Sequence, residues 1–200
     1  MDNRIVHLID DDEDVRRAVA FMLGTTGLAV RVYESASAFL AQDGGDLTGC
    51  IISDVRMPGV DGLGLMRQLK ERGQDIPVIV MTGHADVPLA VEAMKNGAID
   101  FIEKPFTDDT MLAAVEVALG RAGKGRDSGL DDVRARMASL TPREREVLDG
   151  LLAGHPNKTI AYDLGLSPRT VEVHRANVMT KMCASSLSEL VRQALLAGAS

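Results

Sequence analysis

Residues 50–62, CIISDVRMPGVDG, decide the fold of this chain. The apolar residues 50–52 predict a buried strand that leads to a carboxylate, Asp54. Pro58 and Gly59 follow soon after, and they prevent the strand from continuing. An aspartate at a strand-to-loop junction is most often a turn residue or a helix cap. This stretch therefore predicts a strand followed by a loop, and it leaves the role of Asp54 open.

Three other apolar stretches of the chain also end in polar residues. They are residues 4–9 (RIVHLI), followed by Asp10, Asp11 and Asp12; residues 77–81 (PVIVM), followed by Thr82; and residues 99–102 (IDFI), followed by Glu103, Lys104 and Pro105. If all four stretches are parallel strands, their carboxyl ends meet in the crevice where open α/β sheets bind ligands. That crevice would hold several carboxylates, a hydroxyl group and an ammonium group.

Residues 4–122 alternate between strand patterns and helix patterns. A further strand is predicted at residues 28–33 (LAVRVY), which makes five strands in all. A helix is predicted after each strand, beginning near residues 14, 37, 63, 88 and 107. Because crossovers between parallel strands are right-handed, five such units close into a doubly wound parallel sheet.

Residues 140–198 show no strand pattern, and they predict four helices. The first helix opens with a capping box, Thr141 and Glu144, and has Pro142 at its first position. The other three helices are predicted at about residues 157–164, 168–182 and 186–197. A tight turn at Gly165 makes the second and third helices a helix-turn-helix unit.

Between these two regions the chain is rich in glycine and charge, which is typical of a linker. The second half of this linker has a helical pattern, with Leu130, Val133 and Met137 on one face. We predict a first domain at residues 1–122, a linker at residues 123–139 and a second domain at residues 140–200.

Charge is distributed unevenly between the two predicted domains. Residues 1–124 carry 12 basic and 20 acidic residues, whereas residues 125–200 carry 10 basic and 9 acidic residues. This difference indicates two domains with different partners. No apolar run is long enough for a membrane span, and the acidic start of the chain does not resemble a signal peptide. We therefore expect a cytoplasmic protein without membrane contact.

The acidic residues of the predicted crevice point to metal and phosphoryl chemistry. Asp10, Asp11 and Asp54 would repel one another unless a cation lay among them, and Mg²⁺ prefers such oxygen ligands. A carboxylate near Mg²⁺ can act as a nucleophile on phosphorus. Lys104 could neutralise the transferred group, and Thr82 could donate a hydrogen bond to it. Alternatively, Lys104 is only a salt-bridge partner of the acidic cluster and Thr82 only a turn residue.

Four stretches of the chain carry a resemblance to a known family. They are DVRMPGVDG, MTGHADVPLAVEAMK, FIEKPF and SPRTVEVHRANVMTKM. With them, residues 4–122 resemble the receiver domain of two-component response regulators, and residues 140–198 resemble the LuxR-type helix-turn-helix domain. Together they resemble the NarL/FixJ family. The resemblance implies a flavodoxin-like receiver domain with five parallel strands in the order 2-1-3-4-5, followed by an all-α domain of four helices.

The resemblance also implies a role for each polar residue of the crevice. Asp54 would be phosphorylated, and Mg²⁺ would bind the side chains of Asp11 and Asp54 and the backbone carbonyl of Arg56. Asp10 would bind the metal ion through water. The remaining implied roles are phosphoryl contacts for Thr82 and Lys104, a switch aromatic position for Phe101, and a cis peptide bond between Lys104 and Pro105.

The third helix of the second domain is the predicted recognition helix. Its apolar stripe, Val171, Val178 and Met182, should pack inward. We expect phosphate contacts from Lys158, Arg169, Arg175 and Lys181, and base contacts from Thr170, Glu172, Val173 and Ala176. A charged helix face is usually only solvated, but the helix-turn-helix context favours DNA.

The family resemblance implies partners as well as residues. They are a FixL-like sensor histidine kinase, promoter DNA, RNA polymerase and a second copy of the chain. We expect the dimer to form on phosphorylation through an exposed surface that includes Val91 and Lys95. The predicted function is a phosphorylation-activated regulator, most simply an activator, of a nitrogen-fixation type two-component system.

Two other functions compete with this hypothesis. A phosphatase or phosphotransferase of the haloacid dehalogenase kind also uses an aspartate nucleophile with Mg²⁺. Such an enzyme needs a general acid two residues after the nucleophile, where this chain has Arg56, so we predict at most slow self-dephosphorylation. A regulator gated by a small ligand would need an apolar pocket, whereas the first domain offers a polar cluster.

Overall fold

The computed structural model describes residues 4–42, 47–83, 87–121 and 130–198. The chain divides into two compact units, each made of two separate stretches of sequence. Unit 1 comprises residues 1–84 and 96–125, and unit 2 comprises residues 85–95 and 126–200. Residues 123–129 of the predicted linker lie outside the described residues.

Unit 1 is built on a parallel sheet of five strands in the order β2-β1-β3-β4-β5. The strands are β1 (Ile5–Ile9), β2 (Ala29–Tyr33), β3 (Cys50–Asp54), β4 (Val78–Thr82) and β5 (Asp100–Glu103). Every residue of β3 and β4 is buried, as expected for central strands with both faces covered. The predicted strands and the strand order implied by the family resemblance are therefore confirmed.

The described part of the chain also contains ten helices, of which α1, α2, α3 and α5 belong to unit 1. They are α1 (Glu13–Gly24), α2 (Ala36–Leu40), α3 (Gly62–Glu71), α4 (Val87–Lys95), α5 (Asp108–Arg121), α6 (Leu130–Ala138), α7 (Pro142–Leu152), α8 (Asn157–Leu164), α9 (Pro168–Met182) and α10 (Leu187–Leu196). None of these described helices is long and apolar enough to cross a membrane.

Local sequence explains where the helices of unit 1 begin. Asp12 caps α1, because its side chain accepts hydrogen bonds from the backbone N–H groups of Asp14 and Val15. Asp61 caps α3 in the same way through the N–H group of Gly64. One face of the sheet packs against α1 and α5 through aliphatic residues, including Leu8, Ile52, Met81, Leu23 and Val115. The Asp12 cap fixes the loop after β1, and the Asp61 cap fixes the end of the loop after β3.

Unit 2 contains the predicted helix-turn-helix, α8 and α9. The turn between them uses Gly165 in the left-handed conformation, with a φ of 63°, and Ser167 caps α9. The predicted inward stripe of α9 is confirmed, since Val171, Val178 and Met182 are all buried. The capping box predicted at the start of α7 is also present.

Helix α4 groups with unit 2, and this position contradicts one prediction. Val91 was expected to be exposed, but it is only 4% exposed. Ala90, Ala93 and Met94 are buried as well, so the apolar surface of α4 is covered on more than one side. Lys95, at the end of the helix, is exposed as expected. The expected exposure of Val91 is therefore wrong, because its side chain lies on the packed surface of α4 with Ala90 and Met94.

Gly62, the first residue of α3, offers a test of how tightly the loop after β3 is packed. A Cβ atom added there would lie 2.4 Å from the carbonyl oxygen of Asp54. We expect Gly62→Ala to destabilise the protein by about 1–3 kcal/mol, since backbone must move to relieve the overlap. The measurement is urea unfolding followed by circular dichroism.

The matched control is Gly24→Ala at the end of α1, where an added Cβ meets no atom within 4 Å. This variant should be neutral, or more stable by up to about 1 kcal/mol, because alanine is the better helix former. Equal destabilisation of the two variants would show that the backbone around Asp54 is not tightly packed.

Candidate functional site

The carboxyl ends of β1, β3, β4 and β5 bring Asp10, Asp54, Thr82 and Lys104 to one edge of the sheet. The Lys104 ammonium nitrogen lies 2.7 Å from Oδ2 of Asp10 and 2.9 Å from Oδ1 of Asp54. Asp10 is 1% exposed, Thr82 is 1% exposed and Asp54 is 7% exposed. We call these four residues the acceptor cluster. The sequence analysis predicted that these residues lie close together.

Backbone N–H groups fix the second oxygen of each carboxylate. The N–H group of Asp12 donates to Oδ1 of Asp10 at 2.9 Å, and the N–H group of Arg56 donates to Oδ2 of Asp54 at 2.9 Å. Each aspartate is therefore held between one backbone donor and the Lys104 ammonium group. The Lys104–Pro105 peptide bond is cis, as the family resemblance implied.

Burial and charge act in opposite directions on the acceptor cluster. Burial raises the pKa of Asp10, although the hydrogen bond and charge of Lys104 partly oppose this effect. Burial also tends to lower the pKa of Lys104, but the two carboxylates outweigh it and raise that pKa. Lys104 is therefore charged at neutral pH. The site thus holds two carboxyl groups for one ammonium group, so acidic groups outnumber basic ones in it.

The donor set of the acceptor cluster suits a hard divalent cation. Mg²⁺ prefers oxygen ligands, and the carboxyl groups of Asp10 and Asp54 supply them. Asp11 is exposed, and the described residues contain no group of three His, Cys, Asp or Glu residues placed to hold one metal ion. The structure thus brings together two of the three predicted carboxylates, because Lys104 lies between them. Arg56, whose carbonyl was the fourth expected ligand, lies directly beyond the cluster and is exposed.

Phe101 lies on β5, beside the acceptor cluster. Its side chain is half-buried, and its backbone N–H group donates to Oδ1 of Asp100 at 2.8 Å. On the next strand, Val80 pairs with Phe101 and Thr82 pairs with Glu103. Phe101 therefore lies two residues before Glu103, the residue of β5 that pairs with Thr82.

In unit 2, the residues predicted to bind DNA are accessible. The eight candidates are all exposed or half-buried: Lys158, Arg169, Thr170, Glu172, Val173, Arg175, Ala176 and Lys181. Val173 is 51% exposed, so its side chain is accessible to a base edge. Arg169 and Glu172 form an ion pair at 3.0 Å with mostly exposed side chains, which is weak enough to open.

Sequence reasoning missed one residue of this surface. Asn177 is exposed on α9, one turn after Val173 and next to Ala176. The signal was available, because residues four positions apart share a helix face. Its amide group can donate and accept hydrogen bonds, as residues that contact base edges do.

Lys181 differs from the paired Arg169 because the partner of its ammonium group is a buried carboxylate. Its Nζ atom lies 2.6 Å from Oε2 of Glu144, at the start of α7. The ion pair with Lys181, together with the N–H group of Thr141, lowers the pKa of Glu144 to about 2. The sequence analysis identified Glu144 only as part of a capping box. This contact joins residues 37 positions apart, so no local pattern could have predicted it.

Comparisons with known proteins agree with both units. Residues 6–116 match the family model of the response regulator receiver domain, and residues 138–194 match that of the bacterial regulatory proteins of the luxR family. The chain therefore belongs to the NarL/FixJ family of response regulators. It is a phosphorylation-dependent transcriptional regulator that joins a receiver domain to a LuxR-type DNA-binding domain, and the alternative of an aspartyl phosphatase is not favoured.

Individual relatives carry the name FixJ. The transcriptional regulatory protein FixJ of Azorhizobium caulinodans is 60% identical over 96% of this chain and 92% of that protein. FixJ of Rhizobium meliloti is 52% identical over 99% of this chain and 98% of that protein. The crystal structure of full-length FixJ from B. japonicum is similar with a TM-score of 0.57 and 50% identity, covering 99% of this chain and 98% of that one.

The lowered pKa of Glu144 predicts a pH-dependent contribution to stability. Its usual value is 4.5, and in the folded protein it is about 2. The Glu144 carboxylate therefore stabilises the fold fully when the pH is above its pKa in the unfolded chain. This contribution is lost as the pH falls toward about 2, its pKa in the folded protein. We expect Glu144→Gln to lower the midpoint of urea unfolding at neutral pH, and the gap from wild type to narrow below about pH 5.

Glu146→Gln is the matched control. Glu146 is exposed on the same helix and pairs with Arg143 at 2.7 Å, so its removal should cost about 0.5 kcal/mol or less at any pH. A gap between Glu144→Gln and wild type that stays constant from neutral pH to about pH 3 would contradict the assigned pKa.

Proposed function

We propose that Asp54 is the phosphoryl acceptor of this regulator and that a FixL-like sensor histidine kinase is the donor. In this reaction an oxygen of Asp54 forms a bond to phosphorus, and the bond between phosphorus and the histidine nitrogen breaks. The imidazole leaves with the electron pair, and the product is an acyl phosphate on Asp54. Self-dephosphorylation would be slow, because Arg56 stands where an aspartyl phosphatase has its general acid.

The observation that carries this proposal is the contact of Lys104 with Asp54. A buried carboxylate whose two oxygens are held by Lys104 and by the Arg56 N–H group has a fixed orientation before any phosphoryl donor arrives. The Lys104 ammonium group is also close enough to neutralise an added phosphoryl oxygen. Thr82, buried at the end of the neighbouring strand, would donate its hydroxyl hydrogen to another phosphoryl oxygen.

A Mg²⁺ ion is part of the proposed site. Asp11, Asp54 and the Arg56 carbonyl would hold it, and Asp10 would help through water. The surplus of carboxyl groups over ammonium groups in the acceptor cluster supports this assignment. When bound, the ion would neutralise charge on the phosphoryl oxygens. Receiver domains as a family bind Mg²⁺ at their phosphorylation site, which also supports it.

The output of the site is DNA binding by unit 2. The proposed boundaries are residues 1–122 for the receiver domain, 123–139 for the linker and 140–200 for the DNA-binding domain. The proposed DNA contacts are the candidates described above, with Lys181 set apart because its ammonium group is paired with Glu144. The DNA would be a promoter, and RNA polymerase would be the partner that acts there. Arg169 and Lys158 are the best phosphate contacts, because their charges extend into solvent.

Dimerisation is the proposed link between phosphorylation and DNA binding. Unit 2 has a small net charge, so one copy gains little from phosphate contacts. Two copies on two half-sites, about 10 to 10.5 bp apart, would double those contacts. Lys95 is exposed and can contact a second copy directly. Val91 is buried in this structure, so α4 would first have to uncover it.

Replacement of the acceptor should abolish phosphorylation without unfolding the chain. Asp54→Asn keeps the shape of the side chain but removes the nucleophile, so radiolabelled acetyl phosphate should leave no acid-labile label. Asp75→Asn, in the exposed loop after α3, is the control and should be labelled as strongly as wild type. Stoichiometric label on Asp54→Asn would exclude Asp54 as the acceptor.

Phosphorylation should convert monomers into DNA-binding dimers. Light scattering should give twice the monomer mass after full phosphorylation, and the slope of log K against log salt for DNA binding should about double, because each phosphate contact adds about 0.9. Asp54→Asn treated in the same way is the control and should stay monomeric. A doubled mass with an unchanged slope would mean that only one copy contacts the DNA.

A further inference from the structure

The last turn of the recognition helix α9 is tied to the start of α7. Lys181 donates to Oε2 of Glu144 at 2.6 Å and approaches the carbonyl oxygen of Ser139 at 3.4 Å. The same Glu144 oxygen accepts a hydrogen bond from the Thr141 N–H group at 2.8 Å. One carboxylate of α7 therefore caps its own helix and holds α9.

Two arginines extend this connection to α6. Arg136, in the last turn of α6, donates to the carbonyl oxygen of Met182 at 3.2 Å. Arg145 of α7 donates to the carbonyl oxygen of Met137 at 2.6 Å. The last carbonyl groups of a helix lack partners within the helix, so Arg136 satisfies one of those at the end of α9. Three helices thus meet at one polar junction.

Charge and burial at this junction decide what Lys181 can do. The Glu144 side chain is 5% exposed, and that of Lys181 is 36% exposed. A buried carboxylate that loses its cation is strongly destabilised. If Lys181 turned outward to a DNA phosphate, Glu144 would be left in that state. By contrast, the side chain of Arg169 is 85% exposed and can reach a phosphate at little cost.

The junction lies close to the residues that face DNA. With a rise of about 1.5 Å per residue, Lys181 is about 12 Å along the helix axis from Val173 and about 7.5 Å from Ala176. At its other end α9 is fixed by the Ser167 cap and the Gly165 turn. Base contacts tolerate errors of only about 0.5 Å in the position of the side chains that make them. Loss of one anchor should therefore disturb those contacts.

We propose that Lys181 and Glu144 are positioning residues for DNA recognition. Their ion pair fixes the orientation of α9 on α6 and α7, and Lys181 does not neutralise a DNA phosphate. This inference rests on the proposed DNA binding by unit 2. It replaces the prediction from the sequence that Lys181 is a phosphate contact.

The test compares salt dependence with specificity in the phosphorylated full-length protein. Binding is measured by fluorescence anisotropy over a salt series, on a duplex recovered by genomic footprinting and on an unrelated duplex of equal length. The variants are Lys181→Met, Lys181→Arg, Glu144→Gln and the double variant Glu144→Gln with Lys181→Met. Lys158→Met, at an exposed lysine of α8, is the matched comparison for loss of a phosphate contact.

A positioning role predicts a particular pattern. Lys181→Met should lose roughly 10- to 100-fold in affinity for the footprinted duplex, similar to one mismatched base pair, with the unrelated duplex unchanged. Its salt slope should equal that of wild type. Lys158→Met should weaken binding to both duplexes and reduce the slope by about 0.9 per copy. Lys181→Arg should recover most of the affinity, because it can still pair with Glu144.

The double variant protects the test against simple unfolding. It removes both charges, so no buried carboxylate is left unpaired, and circular dichroism checks its fold. Its affinity should be no weaker than that of Lys181→Met, since the two residues act as one pair.

Three results would overturn the proposal. The first is a reduced salt slope for Lys181→Met with parallel losses on both duplexes. The second is wild-type affinity of Lys181→Met or of Glu144→Gln for the footprinted duplex, and the third is additive losses in the double variant. If the wild-type protein bound the two duplexes equally, the proposed function itself would be overturned. That result concerns the wild-type protein alone, so it is distinct from the three results above, which compare variants with it.

Discussion

The acceptor cluster depends on one lysine that stands between two buried carboxylates. Without the Lys104 ammonium group, Asp10 and Asp54 would face each other inside the protein with no compensating charge, which is among the most costly arrangements in a folded chain. With it, the two loops after β1 and β3 are drawn to the loop after β5. In the strand order, β1 and β3 are neighbours, so Asp10 and Asp54 lie side by side. Only β4 lies between β3 and β5, and the long Lys104 side chain spans that distance. The edge of the sheet is thus organised around a single cation.

Unit 2 uses the same kind of contact with a different balance of charge. Lys104 reaches two carboxylates that lie 94 and 50 positions away in the chain, whereas Lys181 meets one, 37 positions away. The first site has two carboxyl groups for one ammonium group, which leaves carboxyl oxygens available to a further cation. The second is balanced, and its carboxylate has a strongly lowered pKa. An unbalanced cluster suits a reactive site, and a balanced pair suits a fixed joint between helices.

Local patterns in the sequence predicted the elements and the cluster at the sheet edge, but contacts between distant residues were beyond them. The five strands, the stripe of Val171 and Val178, and the capping box all follow from spacing within a few residues. The burial of Val91 and the pairing of Lys181 with Glu144 depend on which helices pack together. Buried His7 is a similar case, with Nδ1 3.2 Å from the Tyr33 hydroxyl oxygen and Nε2 3.2 Å from the Thr48 carbonyl oxygen. A histidine within a strand pattern gives no sign of such partners.

The acceptor cluster takes each of its groups from the carboxyl end of a different strand or from the residue that follows it. A substitution at one of these ends can therefore change one contact and leave the others in their places. On the proposal that Asp54 is phosphorylated, each of these contacts would act on the lifetime of the acyl phosphate, through access of water, charge or orientation. Substitutions at this edge of the sheet could thus lengthen or shorten the lifetime of the phosphorylated state during evolution, without any change in the interior of the sheet. The architecture thus separates the persistence of the fold from the timing of the response.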